Sequence, residues 1–218
     1  MKFLVTGFEP FGQSSINPSE QVVRALMDRH FTEFGVETAV LPVHRFKGPQ
    51  TLLTHLRQTR PDAVVCLGEA GGRTAVSIER VAVNLLDFRI ADNDGLVVQD
   101  EPIMANGPAA YFTTLPVRAL RQAVAATGIP AELSLSAGAF LCNQVTYELL
   151  HFLARQRLAI PAGFVHLPLL PEQVADQTPV RPSMALAMMI TAVVTMLQSL
   201  YAHLKNEEIS RLSQPLVG

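Results

Sequence analysis

Tryptophan is absent from this 218-residue chain, charged residues make up only 17% of it, and cysteine occurs just twice. Each scarcity closes a route. A formal net charge of −2 leaves no electrostatic footprint for nucleic acid or an anionic membrane surface. Two cysteines make no disulfide framework, and Cys66 and Cys142 stand in no C-x-x-C metal spacing, so neither a metal nor a cofactor is expected. The loop G-E-A-G-G-R (68–73) has neither the G-x-G-x-x-G spacing nor a G-K-[ST] ending, which leaves a nucleotide-phosphate cradle poorly supported. The cluster D-F-R-I-A-D-N-D-G (87–95) lacks the calcium-loop spacing and reads as a turn. The opening M-K-F-L-V-T-G is too short an apolar run for a secretory signal, and the expectation is a cytoplasmic protein with reduced thiols. One long uncharged run does occur, from Pro182 to Leu204, and it is long enough to span a bilayer. It interleaves Ser183, Thr191, Thr195, Gln198, Ser199 and His203 with much Ala and Met. A helix buried against a sheet, or partly in a subunit interface, fits that mixture better than a membrane span.

What is present is apolar residue, 49% of the chain, enough for a sizeable core in one domain covering 1–218. Lys2 to Thr6 reads as a central strand closed by Gly7, and T-G-F-E-P-F-G then places Phe8 and Phe11 on a loop. In open α/β sheets ligands bind beyond the carboxyl ends of strands, so these aromatics are either local packing or a pocket wall. Asn17 or Ser19 caps the next helix, with Pro18 in its first turn. Strands are predicted at 36–41, 62–67, 77–84, 131–136 and 161–167, and helices at 49–60, from about 108, at 116–127, and along the uncharged run. A polar tail, 206–218, reads as loosely held. Strands alternating with helices predict a three-layer α/β/α sandwich with a mixed, mostly parallel central sheet.

Chemistry concentrates on L-S-L-S-A-G-A-F-L-C-N-Q-V-T-Y-E-L-L-H (133–151), where a β-prone run passes through small residues into a helix-prone one near Cys142. Open backbone N–H groups and the positive dipole end of a helix favour an anion there, and the thiolate is the nucleophilic form of cysteine. The plain alternative is one more small buried hydrophobe. Cys66, inside D-A-V-V-C-L, reads as core. In S-I-E-R-V-A-V-N (77–84) the period of two sends either Glu79 or Arg80 into an apolar layer, where a charge needs a partner or a function. His166 stands near the end of a buried run. A nucleophile, a base and an orienting carboxylate, all at or near strand ends, are the inventory of a cysteine hydrolase.

Two stretches, G-E-A-G-G-R-T-A-V-S-I-E-R-V-A-V-N (68–84) and S-A-G-A-F-L-C-N (136–143), resemble the signatures of pyroglutamyl peptidase I, the pyrrolidone-carboxylate peptidases. T-G-F-E-P-F-G (6–12), N-P-S-E (17–20), G-P-A-A-Y-F (107–112) and F-V-H-L-P (164–168) match as well, so the resemblance runs from Lys2 to the last helix. It implies a phosphorylase/hydrolase-like α/β sandwich, often a homotetramer, that removes N-terminal pyroglutamate from peptides. By motif position it implies Cys142 as nucleophile, His166 as base and Glu79 as orienting carboxylate. It associates Arg89 with the oxyanion site, and lines a lactam pocket with Phe8, Phe11, Ile90 and Phe140, with Leu141 nearby. The sequence departs from the family pattern at Glu69, Phe88 and Ala91. Of these, Glu69 puts a charge near the acyl-binding loop. Two other readings stand beside this one: a nucleoside phosphorylase-like transferase on a similar sheet, and an inactive binding module.

Overall fold

The structure is a computed structural model and describes residues 1–212. Its elements, in chain order, are β1 (Lys2–Phe8), α1 (Pro18–Met27), β2 (Gly35–Leu41), α2 (Lys47–Thr59), β3 (Ala63–Glu69), β4 (Val76–Glu79), β5 (Val81–Val83), β6 (Ala110–Phe112), α3 (Val117–Ala126), β7 (Ala131–Ser134), α4 (Leu141–Gln156), β8 (Ala162–Leu167) and α5 (Leu186–Leu212). Six strands form one sheet in the order β2-β1-β3-β8-β4-β7. The first four of that order run parallel; β4 turns antiparallel to β8, and β7 follows β4. The predicted mixed, mostly parallel sheet is what forms.

Alternation along each strand feeds two cores. Phe3, Val5, Val65, Leu67, Ile78 and Val165 face one way, toward α1, α3 and α5; Leu4, Phe8, Val64, Cys66 and Phe164 face the other, toward α2 and α4. Near-continuous apolar runs in the central strands follow from burial on both faces. The Asn17 side chain accepts from Ser19 N–H at 2.9 Å and caps α1, with Pro18 in its first turn, as the sequence suggests. In α5, Met189, Val193, Met196, Leu197 and Leu200 pack into the first core, and α1 and α3 cover that side. By length and composition α5 is a candidate span, with a mean hydropathy of 1.4 over Leu186–Ser210, but 39% of that apolar window is buried inside the protein.

Four local readings change. Phe8, expected on the loop with Phe11, is instead the last residue of β1, paired with Leu41 of β2. The single strand expected over 77–84 is two strands in two sheets. At Arg80 the chain leaves the main sheet, and β5 pairs antiparallel with β6. The helix expected from about Pro108 is therefore a strand at Ala110–Phe112, because β5 offers it a ladder that no local propensity encodes. Finally, α5 continues through Leu212, so 206–212 is helix, and the rest of the tail lies outside the described residues.

Candidate active site

The parallel strands β1, β3 and β8 end at one edge of the sheet, and α4 begins over that edge. On β3 and β8, Gly68 and His166 are registered partners, as are Cys66 and Phe164. Ser77 on β4 pairs with His166, which puts Glu79, two residues on, on the same face and diagonal to the histidine. The result is a hydrogen bond of 2.8 Å between His166 Nδ1 and Glu79 Oε1, with both residues buried. Of the two charges in that strand, Glu79 is the one turned into the protein.

Cys142 is the second residue of α4. Phe140 at the N-cap has an extended backbone and makes no side-chain cap bond, and the helix's own ladder starts with Gln144 N–H donating to the Phe140 carbonyl at 3.1 Å. The first-turn N–H groups are thus left open beside the sulfur. Asn143, fully buried, ties this turn to β5: its Oδ1 accepts from Val83 N–H at 2.9 Å, and its Nδ2 donates to the Val83 and Leu85 carbonyls at 2.9 and 3.0 Å. Sγ lies over the sheet at Gly68: a Cβ built there would stand 3.0 Å from it. Since Gly68 is His166's registered neighbour, sulfur and imidazole occupy adjacent positions on one face.

A cavity of about 690 Å³ opens there. Cys142 and His166 line it, as do Phe8, Phe11, Arg89, Ile90, Phe140 and Leu141, so every pocket residue named from the sequence is on its wall. Glu79 is not on its wall and stands behind His166 and Arg73, both of which line it. The aromatic wall is self-supporting: the Phe88 and Phe140 rings meet edge-on at 4.6 Å, and Phe11 lies 6.2 Å from Phe140. Phe88, one of the departures from the family pattern, is a packing residue under that wall.

Electrostatics here differ from the expectation of a helix-stabilised thiolate. Burial, then the Glu79 and Glu69 charges, push the Cys142 thiol up to about 12; its own backbone N–H and Arg73 only partly oppose this. Burial also holds His166 below the ordinary histidine value, against the Glu79 bond and charge, and Arg73 adds to the depression. Burial works against the Glu79 charge as well, yet His166, the Ser134 hydroxyl and Arg73 together bring its carboxyl below the usual range. The resting pair is thiol and neutral imidazole beside a carboxylate. Cys66, wholly buried in β3, is likewise pushed by burial to about 12, as its core reading requires.

Glu69 lines the cavity, and its charge is managed locally. Gln173 Nε2 donates to its Oε2 at 2.7 Å, and Arg181, whose guanidinium packs over Gly71, lies beside it. Burial raises its carboxyl, and these two groups pull it back. The sequence reading also passed over Arg73, Asn143, Val43 and Gly68. Arg73, Asn143 and Gly68 fall inside the two signature stretches, so the signal was present, but their partners are on other elements.

Comparison with known proteins agrees. The sequence model of the family described as pyroglutamyl peptidase matches residues 1–202. The pyrrolidone-carboxylate peptidase of Gloeobacter violaceus is 46% identical over 200 residues, 92% of this chain and 97% of that protein. Its namesake from Vibrio vulnificus is 44% identical over 198 residues, 91% of this chain and 92% of that one. A mutant pyrrolidone carboxyl peptidase from the hyperthermophile Pyrococcus furiosus superposes with a TM-score of 0.90 at 42% identity, covering 94% of this chain and 100% of its own. Pyroglutamyl peptidase I of Bacillus amyloliquefaciens gives 0.89 at 36% identity, over 93% and 97%. With a family match over nearly its whole length and relatives at this identity, the chain belongs to the pyroglutamyl peptidases, also called pyrrolidone-carboxylate peptidases.

Proposed function

We propose that Cys142, His166 and Glu79 carry the activity of this cysteine peptidase family, hydrolysis of the amide bond after an N-terminal pyroglutamyl residue. The observation that carries the assignment is the shared face: Sγ over Gly68, the registered partner of a histidine whose Nδ1 is bonded to Glu79 at 2.8 Å. Glu79 accepts from Nδ1–H, which leaves Nε2 as the free base. Because the thiol rests protonated, its proton passes to His166 as sulfur attacks the pyroglutamyl carbonyl, not before. The open N–H groups of the first turn of α4, with the Arg89 guanidinium from the cavity wall, stabilise the oxyanion. The imidazolium then protonates the departing amine, and water hydrolyses the thioester.

Pyroglutamate is a five-membered lactam with an N–H donor, a C=O acceptor and no ammonium. Phe8, Phe11 and Phe140 give it an apolar slot. An unmodified N-terminal Gln would carry an ammonium into that slot and is rejected by its desolvation cost. Neither a nucleoside phosphorylase-like transferase nor an inactive binding module is supported, since the relatives are peptidases by name.

The cytoplasm suits a free, oxidisable nucleophile, and we assign the protein there. The side of α5 turned from the core exposes Ala187, Met188, Thr191, Gln198 and Ala202, all uncharged, and supports a homo-oligomer, with a tetramer as the reading. Light scattering of the purified protein checks the oligomer. The test of function is release of free pyroglutamate from a short blocked peptide by the reduced protein. Cys142→Ala is expected to lose on the order of 10⁴-fold or more in rate. A variant that keeps substantial turnover overturns the assignment.

A further inference from the structure

Arg73 has no part in the chemistry above, yet it touches both halves of it. It projects from the glycine-rich loop between β3 and β4, and its side chain is 23% exposed. Its Nη1 lies 2.8 Å from Glu79 Oε1, the same oxygen that meets His166 Nδ1. Its Nη2 donates to the Ser136 carbonyl at 2.9 Å. Ser136 opens the S-A-G-A segment that leads into α4, and that segment is held again where Asp87 N–H donates to the Ala139 carbonyl at 2.9 Å. One planar guanidinium therefore joins the acid that orients the imidazole to the backbone that delivers the sulfur.

We propose that Arg73 is a positioning residue for the hydrolysis: its cation balances Glu79 so that the imidazole stays a free base, and its fork holds the backbone ahead of Cys142. The inference rests on the assignment of Cys142, His166 and Glu79 proposed above. The argument is one of net charge in a buried place. With Arg73 present, carboxylate and guanidinium already cancel, and a proton on His166 leaves an uncompensated charge. Without Arg73, the same proton makes a neutral imidazolium–carboxylate pair, and Glu79 then draws the base into the wrong state. The other groups facing His166 do not supply this balance. From β3 comes the Glu69 carboxylate, bonded to Gln173 with Arg181 nearby; from β7 comes the neutral Ser134 hydroxyl; from α4 comes the Cys142 thiol; Asp87 and Arg89 line the same cavity, and it is Arg73 that bonds the Glu79 oxygen. Arg73 and His166 meet Glu79 at the same oxygen, Oε1, so losing Arg73 hands that oxygen to His166.

The test uses the full chain with Arg73→Gln and Arg73→Lys, measuring kcat and KM on a pyroglutamyl chromogenic amide against pH, and iodoacetamide inactivation alongside. In Arg73→Gln the acid limb of kcat/KM is expected to move up by about one pH unit. Its kcat should fall about 10-fold or more, with KM changed by less than about 2-fold. Arg73→Lys keeps the charge and so the position of the limb, but an ammonium cannot fork to both oxygens, and kcat falls about 10-fold. An acid limb unmoved in Arg73→Gln, or a loss carried by KM in both variants, overturns the proposal. Should Arg73→Gln fail to fold, Arg73→Lys decides alone: a wild-type kcat removes the fork, and a shifted limb removes the charge assignment. A wild-type protein that releases no pyroglutamate refutes the triad reading instead, and in that event the iodoacetamide profile still reports what Arg73 does to the sulfur.

Discussion

Gly68→Ala tests the central geometry with a single methyl group. The backbone at Gly68 lies outside the left-handed region, so alanine meets no conformational penalty and only space is at issue. The added Cβ would stand 2.6 and 3.0 Å from two ring carbons of Phe164 and 3.0 Å from Cys142 Sγ. Carbon atoms at rest keep about 3.5–4.0 Å, so ring or sulfur must retreat by roughly 0.5–1 Å. Phe164 is wholly buried, 6.5 Å from the Phe8 ring and 4.8 Å from that of His166, so a ring that retreats carries the histidine with it. A sulfur that retreats leaves the imidazole directly. Overpacking of this kind costs about 1–3 kcal/mol of stability. A misplacement of about 1 Å between reacting groups costs on the order of 10² in rate, so kcat/KM should fall about 100-fold. Turnover of a pyroglutamyl chromogenic amide gives the rate, and urea unfolding gives the stability. Gly163→Ala is the matched control. Its Cβ meets Thr113 Oγ1 and, at 2.9 Å, Leu115 Cδ1, away from the cavity. It should lose a similar ~1–3 kcal/mol while kcat stays within about 3-fold of wild type. A folded Gly68→Ala protein with wild-type kcat, or equal damage to kcat from both glycine variants, refutes the placement of sulfur and imidazole.

Glu79→Gln preserves shape and removes the charge that orients His166; kcat should fall by about 10²–10⁴ with the circular dichroism spectrum unchanged, and a smaller fall would demote the carboxylate. Cys66→Ser buries a hydroxyl in an apolar strand and should cost about 1–3 kcal/mol in urea unfolding while turnover persists; lost turnover in a folded protein would give Cys66 a role in the chemistry. Because His166 is held below 6.5 when folded, the unfolded chain binds more protons between that lowered value and 6.5. Its contribution to stability is therefore complete above 6.5 and is lost as pH falls through the folded value, and the acid limb of kcat/KM should lie below 6.5. A limb at or above that pH contradicts the buried neutral base. With the thiol pushed up to about 12, iodoacetamide inactivation should keep accelerating beyond the ordinary cysteine value of 9.0, and a plateau near neutrality would reveal a preformed thiolate.

Much of this site could be read before any fold was known. The small residues leading to Cys142 place it in a helix's first turn, and Asn17 with Pro18 marks the start of α1. β1 ends on Phe8 with Phe11 in the loop just beyond it, and the near-continuous apolar runs of β3 and β8 declare burial on both faces. These features depend on residues within a few positions of one another, and local chemistry suffices for them. The division of 77–84 between two sheets was not legible, since the same alternation serves either partner and β6 arrives from residues 110–112. Nor was the protonation state of the sulfur. A helix terminus favours its anion, but burial and the charges of Glu79 and Glu69, brought from other strands, outweigh that effect. Glu79 and His166 are 87 positions apart, and Arg73 and Ser136 are 63 apart. The sequence alone determined which side chains were available and what local geometry each prefers. Only the tertiary structure decided which of them meet and how deeply each is buried, because pairing and desolvation arise from contacts that no neighbouring residue encodes.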